Sequence, residues 1–370
     1  VTLDAATPPR THGTVRVVGT GLLGTSAALA LSMRGVDVVL TDPSPTAVAL
    51  ARDLGAGRFA ADGDDPALVL VACPPDVVAD VVAGELERFP RAVVTDVASV
   101  KGGPLAALAA RGADLSRYVG SHPMAGRERS GAVAARTDLF AGRPWVIAAT
   151  SESGPAAVQA VRDLATDCGG VPVTMAAQSH DEAVALVSHA PQVAASLVAA
   201  RLRDASEPAV GLAGQGLRDV TRIAGSDPVL WAQILAANAA PVADVLEALR
   251  GDLDEVITAL RALADDPAAP GARVRLARAI ADGGAGRDRI PGKHGSAPTL
   301  YTTVVVVVPD RPGALGRLLT DVGDAGVNLE DLRLEHSEGQ AVALASIDVL
   351  PAAADPLTEA LRARGWTVPR

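Results

Sequence analysis

The sequence predicts an α/β protein in three parts: a doubly wound parallel sheet, an all-α second domain and a small ferredoxin-like domain at the C-terminal end. Three observations predict this. From Thr14 to about Thr150, short β-branched runs alternate with helical stretches, the rhythm of strands joined by crossover helices. After Ala176 the strand signal fades and helical periodicity takes over. From Thr299 onward the order strand–helix–strand–strand–helix–strand returns.

In the first part, "TVRVVG", "VDVVLTD", "ALVLVAC", "AVVTDV", "YVGSH" and "PWVIAAT" read as buried parallel strands, each short and bounded by turn residues. A helix from about Pro155 and the strand "VPVTMA" complete a domain over 14–176. The next part, 177–285, is helical, with Pro191 and Pro241 expected to kink or interrupt its helices. These helices are too rich in Ala and Val for a solvent face, so a second copy is expected to cover them in a homodimer. A Gly- and Pro-rich linker over 286–298 precedes the last domain, 299–370.

Composition narrows the function classes. The chain has 370 residues, 49% of them hydrophobic, enough for two or three domains with cores of their own. A net charge of −10 argues against a nucleic-acid or anionic-membrane partner. No signal-like or transmembrane segment is expected, because the apolar runs are broken within a few turns. Cys73 and Cys168 fit neither a disulfide nor a metal pattern, and no metal site is expected. A reducing, cytoplasmic setting is the simplest expectation.

The motif "VRVVGTGLLGTS" places Gly19, Gly21 and Gly24 in GxGxxG spacing after a strand, with Leu22 and Leu23 opening a helix. The first glycine allows a tight turn, the second lets a pyrophosphate approach the backbone, and the third brings helix and strand together. The helix N-terminus would then face the phosphates, the Rossmann arrangement. Asp42 ends the second strand eighteen residues after Gly24, where a carboxylate accepts from a ribose and repels a 2′-phosphate. NAD is therefore expected over NADP, with Arg52 near enough in sequence to oppose that preference. A glycine turn without a cofactor is the plain alternative.

Four further segments carry candidate chemistry. "TDVASVKG" sets Asp96, Ser99 and Lys101 past a strand end, where Ser99 either caps the next helix or faces a ligand. "GSHPMAGRERSG" holds His122, an ordinary loop histidine or a base able to take an alcohol proton at neutral pH. In "SHAPQ", His189 either packs at a bend or binds a ligand. "GLRDVTRIAGSDPVLW" carries Arg222, which either clamps a carboxylate through parallel N–H bonds or pairs with Asp219.

Taken in order, "GTGLLGTS", "DVASVK", "GSHPMAGRERSG", "VSHAPQ" and "GLRDVTRIAGSDPVLW" resemble the prephenate dehydrogenase family of tyrosine biosynthesis, across Thr14 to about Asp265. The C-terminal "VVVPDRPGALGRLL" and "AGVNLEDL" resemble an ACT domain, a small amino-acid-sensing module. The resemblance implies NAD-dependent oxidative decarboxylation. Hydride leaves the carbon bearing the 4-hydroxyl of prephenate, the hydroxyl loses its proton, and the ring carboxylate departs as CO2. The aromatic product, 4-hydroxyphenylpyruvate, makes the step effectively irreversible.

By the same resemblance, His122 accepts the hydroxyl proton and Ser99 orients His122 beside the nicotinamide. Arg222 holds the ring carboxylate, while His189, Glu128 and Trp231 lie against the substrate, and Lys101 supports. Many members read "SHLPH" where this chain has Ala190 and Gln192, which leaves prephenate and arogenate both open as substrates. A 4-amino-4-deoxyprephenate dehydrogenase and a non-catalytic amino-acid sensor are the other readings. The ACT resemblance implies an amino-acid effector, tyrosine, near Asp310, Gly313 and Asn328; a tail that only supports dimerisation is the alternative.

Overall fold

A computed structural model describes residues 8–126, 131–291, 301–336 and 341–369. The chain divides into two compact units, Val1–Gly251 and Asp252–Arg370. The first unit is built on an eight-stranded sheet. Its elements run β1 (Val15–Val18), α1 (Leu22–Met33), β2 (Val38–Thr41), α2 (Pro45–Asp53), β3 (Arg58–Phe59), β4 (Leu68–Val71), α3 (Val78–Arg88) and β5 (Val93–Asp96). They continue with α4 (Gly102–Ala110), β6 (Tyr118–Pro123), β7 (Pro144–Ala148), α5 (Pro155–Asp167) and β8 (Val171–Thr174).

The strand order is β3-β2-β1-β4-β5-β6-β7-β8. Chain direction reverses its march across the sheet at β1, which puts a ligand crevice beyond the carboxyl ends of β1 and β4. Alternation on β4 shows how both faces are sealed. Leu68 and Leu70 join the cluster formed with α1, α2 and α5, while Val69 and Val71 join the one formed with α3 and α4. Two elements depart from the sequence reading. The two-residue β3 was too short to carry a strand signal. "PWVIAAT", expected as a parallel strand, gives β7, which pairs antiparallel to β6 and parallel to β8. A buried apolar run encodes burial on both faces but not direction.

Helices follow in the same unit: α6 (Ala177–Val184), α7 (Ala190–Ala200), α8 (Glu207–Val210), α9 (Gln215–Thr221) and α10 (Pro228–Ala237). Between α6 and α7 lies one π turn, Ala185–His189. Pro191 therefore does not interrupt the helix: the wider turn before it absorbs the missing N–H. The result is one helical stretch, Ala177–Ala200, long and apolar enough by length and composition to cross a membrane. Its polar positions His180, Asp181, His189 and Gln192 are buried within the unit. The expectation that every apolar run would be broken fails here, and the reason is the π turn.

The second break falls at Asn238. There α10 and α11 (Ala239–Asp265) meet at a bend of 96°. Pro241 sits in the first turn of α11, where a missing N–H is harmless. The division between the compact units falls inside α11.

The second unit continues with α12 (Ala272–Arg287), β9 (Thr302–Pro309), α13 (Ala314–Asp324), β10 (Asp331–His336), β11 (Val342–Val349) and α14 (Pro351–Ala363). Its sheet has the order β10-β11-β9, antiparallel throughout, and Thr367 bridges back to Val307 as a rudimentary fourth strand. Val304, Val306 and Val308 face Leu318, Ile347, Leu357 and Leu361 in its core. This is the ferredoxin-like order that the sequence predicts.

Candidate active site

The glycine loop between β1 and α1 has the geometry its spacing predicts. Gly19 has φ +100°, and a Cβ there would strike the Ala72 carbonyl; a Cβ on Gly24 would strike the Gly19 carbonyl. Gly21 instead opens on empty space and is the N-cap of α1, where the first amides have no intrahelical partner. Leu22 and Leu23 pack against the core and anchor that first turn. These residues fit a pyrophosphate: two glycines close the loop, and the third leaves the approach free.

Asp42 follows β2 and braces this loop. Its carboxylate accepts from the Thr20 N–H at 2.8 Å and from the Ser44 N–H at 2.9 Å. The Arg52 guanidinium is bonded to Asp53 and lies 4.5 Å from the centre of the Phe59 ring.

His122 is the fifth residue of β6, not a loop residue, and pairs across the sheet with Val146. Its Nδ1 is 2.9 Å from Nε2 of His180 on α6, and the Nδ1 of His180 is 2.8 Å from Asp181 Oδ1. Burial, followed by repulsion from His180, Lys101 and His189, holds His122 well below the usual histidine range. It is therefore neutral at physiological pH, the state required of a base. Burial favours the protonated Asp181 acid, but hydrogen bonds from His180 and from the Gly102 and Lys101 amides outweigh it and lower its pKa.

Ser99 does not cap α4. That role belongs to Asp181, which accepts from Lys101 N at 2.8 Å and Gly102 N at 2.7 Å. Ser99 Oγ is buried with no hydrogen-bond partner among the described residues, and the ring in contact with His122 is that of His180. A buried hydroxyl left open in this way is suited to a ligand. Beneath it, Asp96 is fully buried, ion-paired with Lys101 and hydrogen-bonded by Tyr118 Oη at 2.7 Å. Burial lowers the Lys101 pKa, and Asp96 opposes that shift.

From the helical part, the π turn presents His189, which is 1% exposed, at 6.1 Å between ring centres from Trp231 in an edge-to-face pair. Asn238 donates its amide to the Asp181 carbonyl at 2.8 Å, so the same nitrogen also donates to His189 Nδ1 at 3.1 Å. His189 thus carries its proton on Nε2. Burial, slightly offset by Asp181, lowers its pKa to about 4, so it is a neutral donor. Gln192 donates to the Ile223 carbonyl at 2.9 Å and lines a cavity of about 290 Å³ with Ser196, Ser226 and Trp231. Arg222 is exposed at the end of α9. Glu128 lies outside the described residues.

In the second unit, Asp310 and Gly313 share the turn between β9 and α13, where Gly313 has φ +85° and caps the helix. Asn328 lies in the next loop and donates to Glu330 at 3.2 Å.

Sequence reasoning missed His180, Asp181 and Asn238. The "HD" pair opening a helix was a usable signal only with knowledge that α6 would meet β6.

Comparison with known proteins matches residues 27–174 to the "Prephenate dehydrogenase, nucleotide-binding domain", 176–269 to the "Prephenate dehydrogenase, dimerization domain", and 302–364 to the "ACT domain". The chain belongs to the prephenate dehydrogenase family. A Streptomyces niveus relative named probable prephenate dehydrogenase NovF is 40% identical over 95% of this chain and 98% of its own length. Among solved structures, prephenate dehydrogenase from A. aeolicus, in complex with hydroxyphenyl propionate and NAD+, is 26% identical with a TM-score of 0.66. That match covers 76% of this chain and 99% of the other. Synechocystis arogenate dehydrogenase is 25% identical with a TM-score of 0.59, over 74% of this chain and 99% of its own. The two prephenate dehydrogenase matches together run from α1 to the end of α11, across the sheet and the helices that follow it.

Proposed function

We propose that this chain is an NAD-dependent prephenate dehydrogenase, converting prephenate to 4-hydroxyphenylpyruvate. The observation that carries the reading is the neutral, buried His122 at the carboxyl end of β6. NAD+, when bound at the glycine loop, accepts the hydride. His122 takes the 4-hydroxyl proton as that hydride leaves. The open Ser99 hydroxyl bonds the same region of the substrate, and His189 donates to it from Nε2. Arg222 holds the ring carboxylate, with Glu128 and Trp231 beside the substrate. Asp42 favours NAD over NADP, since Arg52 is engaged by Asp53 and Phe59.

A second reading rests on Gln192: a neutral amide stands where many members have a histidine, which suits the amino side chain of arogenate. The experiment offers purified protein prephenate and arogenate, each with NAD+ and NADP+, and follows reduced nicotinamide by absorbance. Turnover is expected with prephenate and NAD+, and failure of all four pairs removes the enzyme reading. A 4-amino-4-deoxyprephenate substrate suits an ACT-bearing chain less well. A non-catalytic sensor is disfavoured because Ser99, His122 and Arg222 are all retained.

The same proposal places the enzyme in the cytoplasm as a homodimer, divided at 14–176, 177–285 and 299–370. The exposed Leu186, Val187, Leu197, Leu212 and Val229 support the dimer, since a second copy would bury them. Tyrosine is the proposed effector, bound near Asp310, Gly313 and Asn328. A chain ending at Ala297 should lose tyrosine inhibition; unchanged inhibition removes that assignment.

A further inference from the structure

The proton chemistry of His122 depends on which ring nitrogen carries hydrogen. Asp181 Oδ1 already accepts from the Lys101 amide and is an ionised acceptor, so His180 must donate to it from Nδ1. With its Nδ1 hydrogen turned to Asp181, His180 presents Nε2 to His122 as the acceptor of the pair. His122 meets that acceptor at 2.9 Å and must donate from Nδ1. Its Nε2 is left bare, the nitrogen a base needs.

We propose that His180 and Asp181 are positioning residues that fix His122 as the Nδ1–H tautomer and stabilise the imidazolium formed during turnover. The inference rests on the assignment of His122 as base. When Nε2 takes the hydroxyl proton, the Nδ1–H bond to His180 stays in place and the positive charge faces the Asp181 carboxylate through one ring. That charge is otherwise unwelcome: Lys101 from the β5–α4 connection and His189 from the π turn both disfavour it. Asp96, paired with Lys101 and bonded by Tyr118, screens the first of these, and burial keeps His189 neutral, with Asn238 bonded to its Nδ1. Asp181 also caps α4, so the relay is complete only when α6 is seated on the nucleotide-binding sheet.

Two measurements on the full chain decide this. In the ligand-free protein, histidine 15N NMR should show His122 protonated at Nδ1 and bare at Nε2 near pH 7.5; the opposite tautomer overturns the proposal. In turnover, Asp181→Asn should lower kcat about 10²–10⁴-fold. It should also move the acidic limb of the pH profile about one unit lower, because removing the anion disfavours the imidazolium. A limb that stays in place overturns the charge role. Should Asp181→Asn fail to fold, His180→Gln and His180→Leu serve instead. Gln keeps an acceptor opposite His122 and should retain at least about tenfold more activity than Leu; equal rates overturn the positioning role. If the wild type turns over neither substrate, the functional reading falls, and the NMR spectra alone decide the tautomer.

Discussion

The two ends of the candidate site are built in different ways. At the proton end, His122, His180, Asp181, Asp96, Lys101 and Tyr118 are all buried and joined by hydrogen bonds, and beside them the buried Ser99 hydroxyl has no bonding partner among the described residues. At the far end, Arg222 is exposed and Trp231 half-buried, and the buried Gln192, bonded to the Ile223 carbonyl, lines a cavity among small and apolar side chains. The difference separates two tasks. Fixing one proton needs a rigid, dry set of dipoles prepared in advance. Holding the rest of the substrate needs groups whose reach can adjust as it enters.

The contrast is broken most severely at His122. His122→Asn should lower kcat about 10²–10⁴-fold while leaving NAD+ affinity unchanged, measured by steady-state kinetics and NAD+ titration. Near-normal turnover would remove His122 from the mechanism. Next is Lys101→Met, which strands the buried Asp96 charge with Tyr118 and the Ala98 amide as its side-chain carboxylate's partners among the described residues. It should cost about 3–5 kcal/mol, read by urea unfolding. A much smaller loss would show that the proton end tolerates disorder after all.

At the other end, Arg222→Ala should raise KM about 10–100-fold with little change in kcat, as expected for the loss of a charge-assisted bond made on binding. A fall in kcat alone would erase the division of tasks. The smallest effect is on stability against pH. His122 and His189 have folded pKa values below their unfolded value of about 6.5, so the unfolded chain binds more protons in acid. Their contribution is intact above about pH 6.5 and declines as pH falls, toward about 4 for His189. Tm should drop across this window, and less steeply in His122→Asn.

The sequence revealed the local devices of this site and concealed the distant ones. Gly19, Gly21 and Gly24 were legible because their demands arise within a few residues of chain. His122 was legible as a candidate because of its place after an apolar strand. Its partner was not: His180 lies 58 positions away, and only the packing of α6 beside β6 brings the rings together. The same distance hid the cap on α4, for which Ser99 was the local candidate and Asp181 the actual one. Strand direction was hidden for another reason, since β7 looks the same in sequence whichever way it runs.

That reversed strand has a lasting consequence. Because β6 and β7 are antiparallel, the connection between them leaves and re-enters the sheet at the same end, the one where His122 stands. Met124 and Pro144 close its mouth with a backbone bond at 2.8 Å, and Arg136 ties its return leg to Ser26 on α1. Lengthening or trimming such a loop changes closure entropy only slowly. The fold thus hangs a connection at the rim of the candidate site from two anchors, the β6–β7 pair at its mouth and α1 on its return leg.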